Sequence, residues 1–147
     1  MIRWPGKITP ARSPHLASSL DLLPTLLTAA GLPFVKHLPG INLLDSASVR
    51  KRTALFGECF THSAVDLNEP ARNLRWRWMI EGDWKLLVPW PANEPTATVE
   101  LYNIVTDPNE ERDSAAANPE RVAALQKKLD AWWRPKETHP SSAPPKK

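Results

Sequence analysis

The residues able to do chemistry are few, and their spacing limits what each can be. Cys59 is the only cysteine, in "ECFTHSA", so an internal disulfide and a cysteine-based zinc site are excluded. A strand thiol, partly buried, is its expected state. His62 follows Glu58 by four residues, which invites a metal or proton-transfer role. One His and one Glu do not complete a metal site. His15 and His37 fall in loop-like stretches. Asp107, Glu110 and Glu111 cluster in "DPNEE", but Asp-Pro followed by carboxylates is ordinary turn chemistry ahead of a helix. Seven tryptophans stand against one tyrosine, and flat apolar rings suit sugar faces. Trp76 and Trp78 nevertheless alternate on one strand face and Trp132 lies on an apolar helix stripe. That spacing predicts core packing between sheet and helix. Arg75 and Arg77 then face the other way, into solvent, with contact to an anionic substrate as the alternative.

The elements that must position these groups are legible in part. "MIRWPG" reads as a strand meeting a Pro-Gly corner. In "SSLDLLPTLLTAAGLP", Asp21 is the expected N-cap, Pro24 falls in the first turn, and Gly31 with Pro33 closes the helix. Leu22, Leu23, Leu26, Leu27 and Ala30 form a wide apolar face that wants a large surface to cover. The next segment, "FVKHLPGINLLDSASVRKR", reads as a loop with a short turn and marks a boundary. "TALFGECF" is a strand and "THSAVDLNEPARN" a long polar loop. "RWRWMIEGDWKLLVPW" alternates at period two around an "EGD" turn, the pattern of an antiparallel hairpin. "TVELYNI" supplies another strand. "NPERVAALQKKLDAWWRP" is a helix with Asn118 as cap and Val122, Leu125, Leu129 and Trp132 on one face.

The expected fold class is therefore α+β, about four antiparallel strands with a C-terminal helix. The expected divisions are 1–33, a connecting loop 34–52, a sheet-and-helix subdomain 53–134 and a disordered tail 135–147. The chain of 147 residues carries a net charge of +3, part of it in "KETHPSSAPPKK", so no basic stripe for nucleic acid emerges. No apolar run reaches the roughly 20 residues that span a bilayer. "MIRWPGKITP" lacks the apolar segment of a signal peptide.

Taken in order, "IRWPGKI", "SSLDLLPTLLTAAGLP", "PGINLL", "LFGE", "MIEGDWKLL" and "ELYNIVTDPNEERDSAA" resemble the C-terminal part of a sulfatase of the alkaline-phosphatase-like superfamily. Asn103 stands where that family usually has Asp, and Asp113-Ser114 where it has Asn-Leu. The resemblance runs from Ile2 to Trp133. It implies that residues 1–33 are the strand and helix that end a large α/β domain, and that the chain is one piece of a longer enzyme. It also implies that the parent uses a formylglycine, made from the cysteine of Cys-x-Pro/Ala/Ser-x-Arg, and a calcium ion. Neither can be placed here: Cys59 is followed by Thr61 and Ser63 at the positions that would need the small residue or proline and the arginine. No catalytic or metal residue is expected in this chain. Glu58 and His62 are the candidate substrate contacts, because in relatives this strand and its loop can lie near the active-site mouth. A sulfate ester is the implied substrate of the parent, and relatives are often periplasmic, secreted or lysosomal. Three alternatives stand beside this one: a free-standing module for anionic glycans, part of a phosphonate or phosphodiester hydrolase, and a non-catalytic remnant. The leucine face of 21–30 also implies poor solubility of the chain alone.

Overall fold

The computed structural model describes residues 2–33 and 37–135. The chain forms two compact units, 1–53 and 54–147.

In the first unit the expected opening strand is absent. Trp4 instead accepts the N–H groups of Lys7 and Ile8, turning the chain at Pro5-Gly6. A strand needs a partner ladder, and no strand of the described residues lies in this unit to provide one. Helix α1, Leu22–Ala29, is preceded by a 3-10 turn, Ser19–Asp21. Ser18, not Asp21, is the working cap. Its hydroxyl accepts the Leu20 N–H, while the Asp21 carboxylate reaches back 2.7 Å to the Ser18 N–H, a reciprocal capping box. Gly31, at φ +70°, ends the helix: its N–H bonds Thr28 and that of Leu32 bonds Leu27, satisfying the last carbonyls.

The leucine face of α1 is uncovered, as expected of a face that wants a surface this segment does not supply. Leu22, Leu23 and Leu26 are 49%, 50% and 64% exposed, whereas Asp21, Pro24 and Thr25 are buried. The polar side is held because its groups find partners. The Thr25 hydroxyl donates to the Asp21 carbonyl at 2.6 Å and accepts the Leu43 N–H at 2.8 Å. Asp21 accepts the Ile41 N–H at 2.9 Å and both terminal nitrogens of Arg52, at 2.5 and 2.7 Å. Gly40 is needed for this approach. At φ +130°, a Cβ there would meet the Leu20 carbonyl oxygen at 2.4 Å. The segment expected as a loop contains a short helix, α2, Ser46–Lys51, started by Asp45 accepting the Ala47 N–H. Its few polar residues carry no apolar period to announce it.

The second unit is a four-stranded antiparallel sheet in the order β1 (Ala54–Phe60), β2 (Leu74–Glu81), β3 (Trp84–Pro89), β4 (Glu100–Asn103). Gly82, at φ +56°, opens the two-residue turn between β2 and β3, a conformation that suits the strand twist. Helix α3, Pro119–Trp132, packs on β2 and β3. Between them sit Met79, Leu86, Val88, Leu101, Leu125 and Leu129, the buried core. Asn118 occupies the cap position of α3, but its side chain makes no capping bond and donates instead to the Ser114 carbonyl. Pro135 is buried; the remainder of the expected tail, 136–147, lies outside the described residues.

The two faces of β2 are exchanged relative to expectation. Arg77 shares the α3 face with Met79, while Trp76 and Trp78 lie half-buried on the opposite face. Arg77 is 4% exposed and reaches Asp130 at 2.7 Å and the Trp133 carbonyl at 2.6 Å, so only Arg75 is the solvated arginine. Trp132 remains 43% exposed, stacked on Phe56 with ring centroids 5.3 Å apart. The Arg77 Nε has no partner. Arg77 is the buried member and Asp130 is 29% exposed, so without Arg77 the carboxylate can turn to water; Arg77→Met, which keeps the apolar volume, is expected to change stability by less than about 1 kcal/mol, while Arg77→Ala costs about 3 kcal/mol. Urea unfolding of the two variants checks this; equal, large losses would contradict it.

Candidate functional site

The groups singled out by their chemistry are dispersed. Glu58 is exposed on β1, opposite Arg77 in the ladder, yet Arg77 turns to Asp130. His62 is exposed in the loop 61–73 that joins β1 to β2. No hydrogen bond joins Glu58 to His62 among the described residues. Cys59 is exposed, not partly buried as expected, because it lies near the end of an edge strand. Its surroundings, Thr61 at +2 and Ser63 at +4, do not fit the formylglycine motif. No group of three or more His, Cys, Asp or Glu side chains able to hold a metal converges among the described residues. His15 and His37 are exposed. Arg75 pairs with Glu94.

The acidic stretch 107–113 is built into the fold. Asp107 turns inward and accepts the N–H groups of Arg112 at 2.9 Å and Glu111 at 3.2 Å, and these bonds hold its carboxyl below the usual carboxylate range. Asp113 accepts the N–H groups of Leu101 and Ala115. Glu110 adopts φ +56° and grips the Lys85 ammonium at 2.7 and 2.8 Å. Across β4, Tyr102 donates to Glu100; burial first, then this carboxylate, pushes its hydroxyl up to about 12.

The better-defined feature is the loop itself. Its neck is closed by the Thr61 N–H on the Asn73 carbonyl at 2.8 Å. The Asn73 side chain, in a residue 8% exposed, accepts the Val65 N–H at 2.5 Å and the Asp66 N–H at 3.1 Å, and donates to the Asp66 carbonyl. Asp66 in turn accepts the Asn68 N–H and the Arg72 guanidinium. The Asn93 amide donates to the Ala71 and Leu74 carbonyls on either side of Asn73, where the loop enters β2. Sequence reasoning missed Asn73 and Asn93. Nothing in their spacing marks an amide that bonds backbone many residues away. The described residues also contain an open groove beside the start of α3, lined by Glu81, Asn118, Pro119, Glu120, Arg121 and Leu125. No helix of the described residues is long and apolar enough to cross a membrane.

No protein-family model matches the chain. Among curated proteins it is similar to N-acetylgalactosamine-6-O-sulfatase of Bacteroides thetaiotaomicron, 26% identical over 141 residues, covering 89% of this chain and 26% of that protein. It is also similar to arylsulfatase K of Bos taurus, 24% identical over 142 residues, covering 88% of this chain and 24% of that protein. The chain spans about a quarter of the length of these relatives. Its fold matches a Bacteroides thetaiotaomicron structure solved in work on glycosaminoglycan metabolism, with TM-score 0.58, 22% identity and coverage of 88% of this chain and 28% of that one. A protein solved with its substrate D-glucosamine-2-N,6-O-disulfate matches at TM-score 0.54 and 18% identity, over 76% of this chain and 23% of that one. The phosphonate monoester hydrolase of Agrobacterium radiobacter matches at TM-score 0.52 and 20% identity, over 76% of this chain and 23% of that one. Over most of its length, then, this chain is similar to one stretch of these sulfatases.

Proposed function

We propose that the chain is the C-terminal portion of a sulfuric ester hydrolase acting on a sulfated glycan, a scaffold that also walls the substrate pocket. The observation that carries this is the asymmetry of the match: 89% of this chain aligns with only 26% of a sulfatase. In this reading the formylglycine and calcium chemistry is assigned to the part of the relatives that this chain does not cover, and Cys59, with Thr61 and Ser63 after it, does not match the formylglycine motif. What this chain contributes is a braced sheet and helix, with Glu58 and His62 exposed to meet substrate. The sulfated-glycan class rests on relatives and neighbours whose own substrates are of that kind.

A related reading, a phosphonate or phosphodiester hydrolase, draws on the shared fold of the phosphonate monoester hydrolase. One experiment serves both. The purified 147-residue chain, given an aryl sulfate and calcium, is expected to show no turnover above buffer. The complete reading frame containing it is expected to encode Cys-x-Pro/Ala/Ser-x-Arg ahead of Met1 and to cleave sulfate esters in preference to phosphonate esters. Turnover by the chain alone overturns the proposal; preference for phosphonates selects the related reading.

A further inference from the structure

We infer that Lys51-Arg52, where the first unit ends, is a latent cleavage site for an endoprotease that cuts after paired basic residues, held shut by the Asp21 carboxylate. The first unit ends at Thr53, directly after Arg50-Lys51-Arg52, the longest basic run of the chain and its single Lys-Arg pair. Such a protease needs a basic side chain free to enter its specificity pocket and a backbone that it can hold extended. The three residues meet these needs unequally. Arg50 and Lys51 are exposed but lie in the last turn of α2, where the helix withholds their backbone. Arg52 leaves the helix extended, at φ −74° and ψ 114°, and Thr53 after it is exposed in neither helix nor strand. Only the Arg52 side chain is out of reach. Both its terminal nitrogens sit on the Asp21 carboxylate, at 2.5 and 2.7 Å, and 12% of the side chain is exposed. Asp21 is itself tied to Ser18 and Ile41, so Arg52 is fastened to the body of the first unit. A helix of six residues is marginal by itself, so α2 opens readily once Arg52 is released. Cleavage adds water across the Arg52–Thr53 peptide bond, leaving a carboxylate on Arg52 and an amine on Thr53. The cut falls between α2 and β1 and breaks no ladder of the sheet.

The test exposes the native 147-residue chain to a subtilisin-type endoprotease specific for Lys-Arg, beside the peptide 46–57 as the unguarded substrate. The peptide should be cut after Arg52, and the chain at the same bond about a hundredfold more slowly, the scale of opening a buried ion pair. Asp21→Asn keeps the volume and removes the charge. It should bring the chain to within about tenfold of the peptide and release fragments 1–52 and 53–147. Thr25→Val removes the acceptor of the Leu43 N–H and loosens the same unit, yet leaves the pair; it should alter cutting by less than about twofold. An uncut peptide, a chain cut as fast as the peptide, or Asp21→Asn cut no faster than wild type overturns the inference. Equal acceleration by Asp21→Asn and Thr25→Val also overturns it, because cutting then follows unfolding of the unit and not release of Arg52.

Discussion

Asp21→Ala is expected to destabilise the first unit by about 3–5 kcal/mol, the scale on which removing one member of a buried ion pair strands the other. Asp21 is fully buried and Arg52 is 12% exposed at its side chain. The carboxylate also ties three segments: the Ser18 N–H at the helix start, the Ile41 N–H beyond Gly40, and Arg52 after α2. Burial alone would push the Asp21 pKa up. The Arg52 hydrogen bonds, with those of Ser18 and Ile41, outweigh that and hold it below its ordinary value. The sign of the pH effect follows. A depressed folded pKa contributes stability that is fully present above the unfolded value, about 3.9, and is lost as pH falls through the lower folded value. Asp21→Ala should therefore flatten the acid limb of the stability curve as well as lower it. Exchange of the Ile41 and Leu43 amides, measured from pH 2 to 6, reads both effects. Wild-type protection at Ile41 in the variant would show that the carboxylate is not the tie.

The same region shows how far a sequence speaks for its fold. The helix at 22–29 and its glycine stop follow from local chemistry, since Pro24 and Gly31 act within one turn of where they stand. Which side of that helix packs inward is another matter. The leucines read as a face wanting a surface to cover, and Leu22, Leu23 and Leu26 are exposed. The inward side is Asp21, Pro24 and Thr25, because their partners, Leu43 and Arg52, come from chain that periodicity cannot associate with them. β2 gives the parallel case. Period-two alternation predicts a strand and a hairpin, and both are present, but it is silent on which face receives α3. Met79 among the arginines was the available sign, and two tryptophans outweighed it by bulk. Glu58 on β1 and His62 in the loop after it were visible as residue types. Asn73, which fixes the loop backbone at Val65 and Asp66, looked like any polar loop residue.

Gly57 provides the second large effect, and here pairing explains a residue that composition does not. Gly57 lies opposite Trp78 in the β1–β2 ladder, on the face without α3. A Cβ at Gly57 would stand 2.3 Å from Trp78 Cζ2 and 2.4 Å from Cε2, well inside contact distance. The indole therefore covers the bare backbone of its cross-strand neighbour, the arrangement that offsets the weakness of glycine within a strand. In Gly57→Ala the rigid ring must swing off β1, with an expected loss of about 2–3 kcal/mol, at the upper end of overpacking effects. The backbone itself raises no objection, since Gly57 has no left-handed φ. This gives the cycle its discriminating arm. In a Trp78→Ala background the clash is gone, and Gly57→Ala should become neutral or stabilising by up to about 1 kcal/mol, as alanine loses less chain entropy than glycine. Urea unfolding of the four proteins measures the coupling between the two positions. If Gly57→Ala costs the same with and without the indole, the ring is not what excludes a side chain at 57. If the cost disappears, the half-buried Trp78 is accounted for as the cover of β1 and need not be reserved for a sugar.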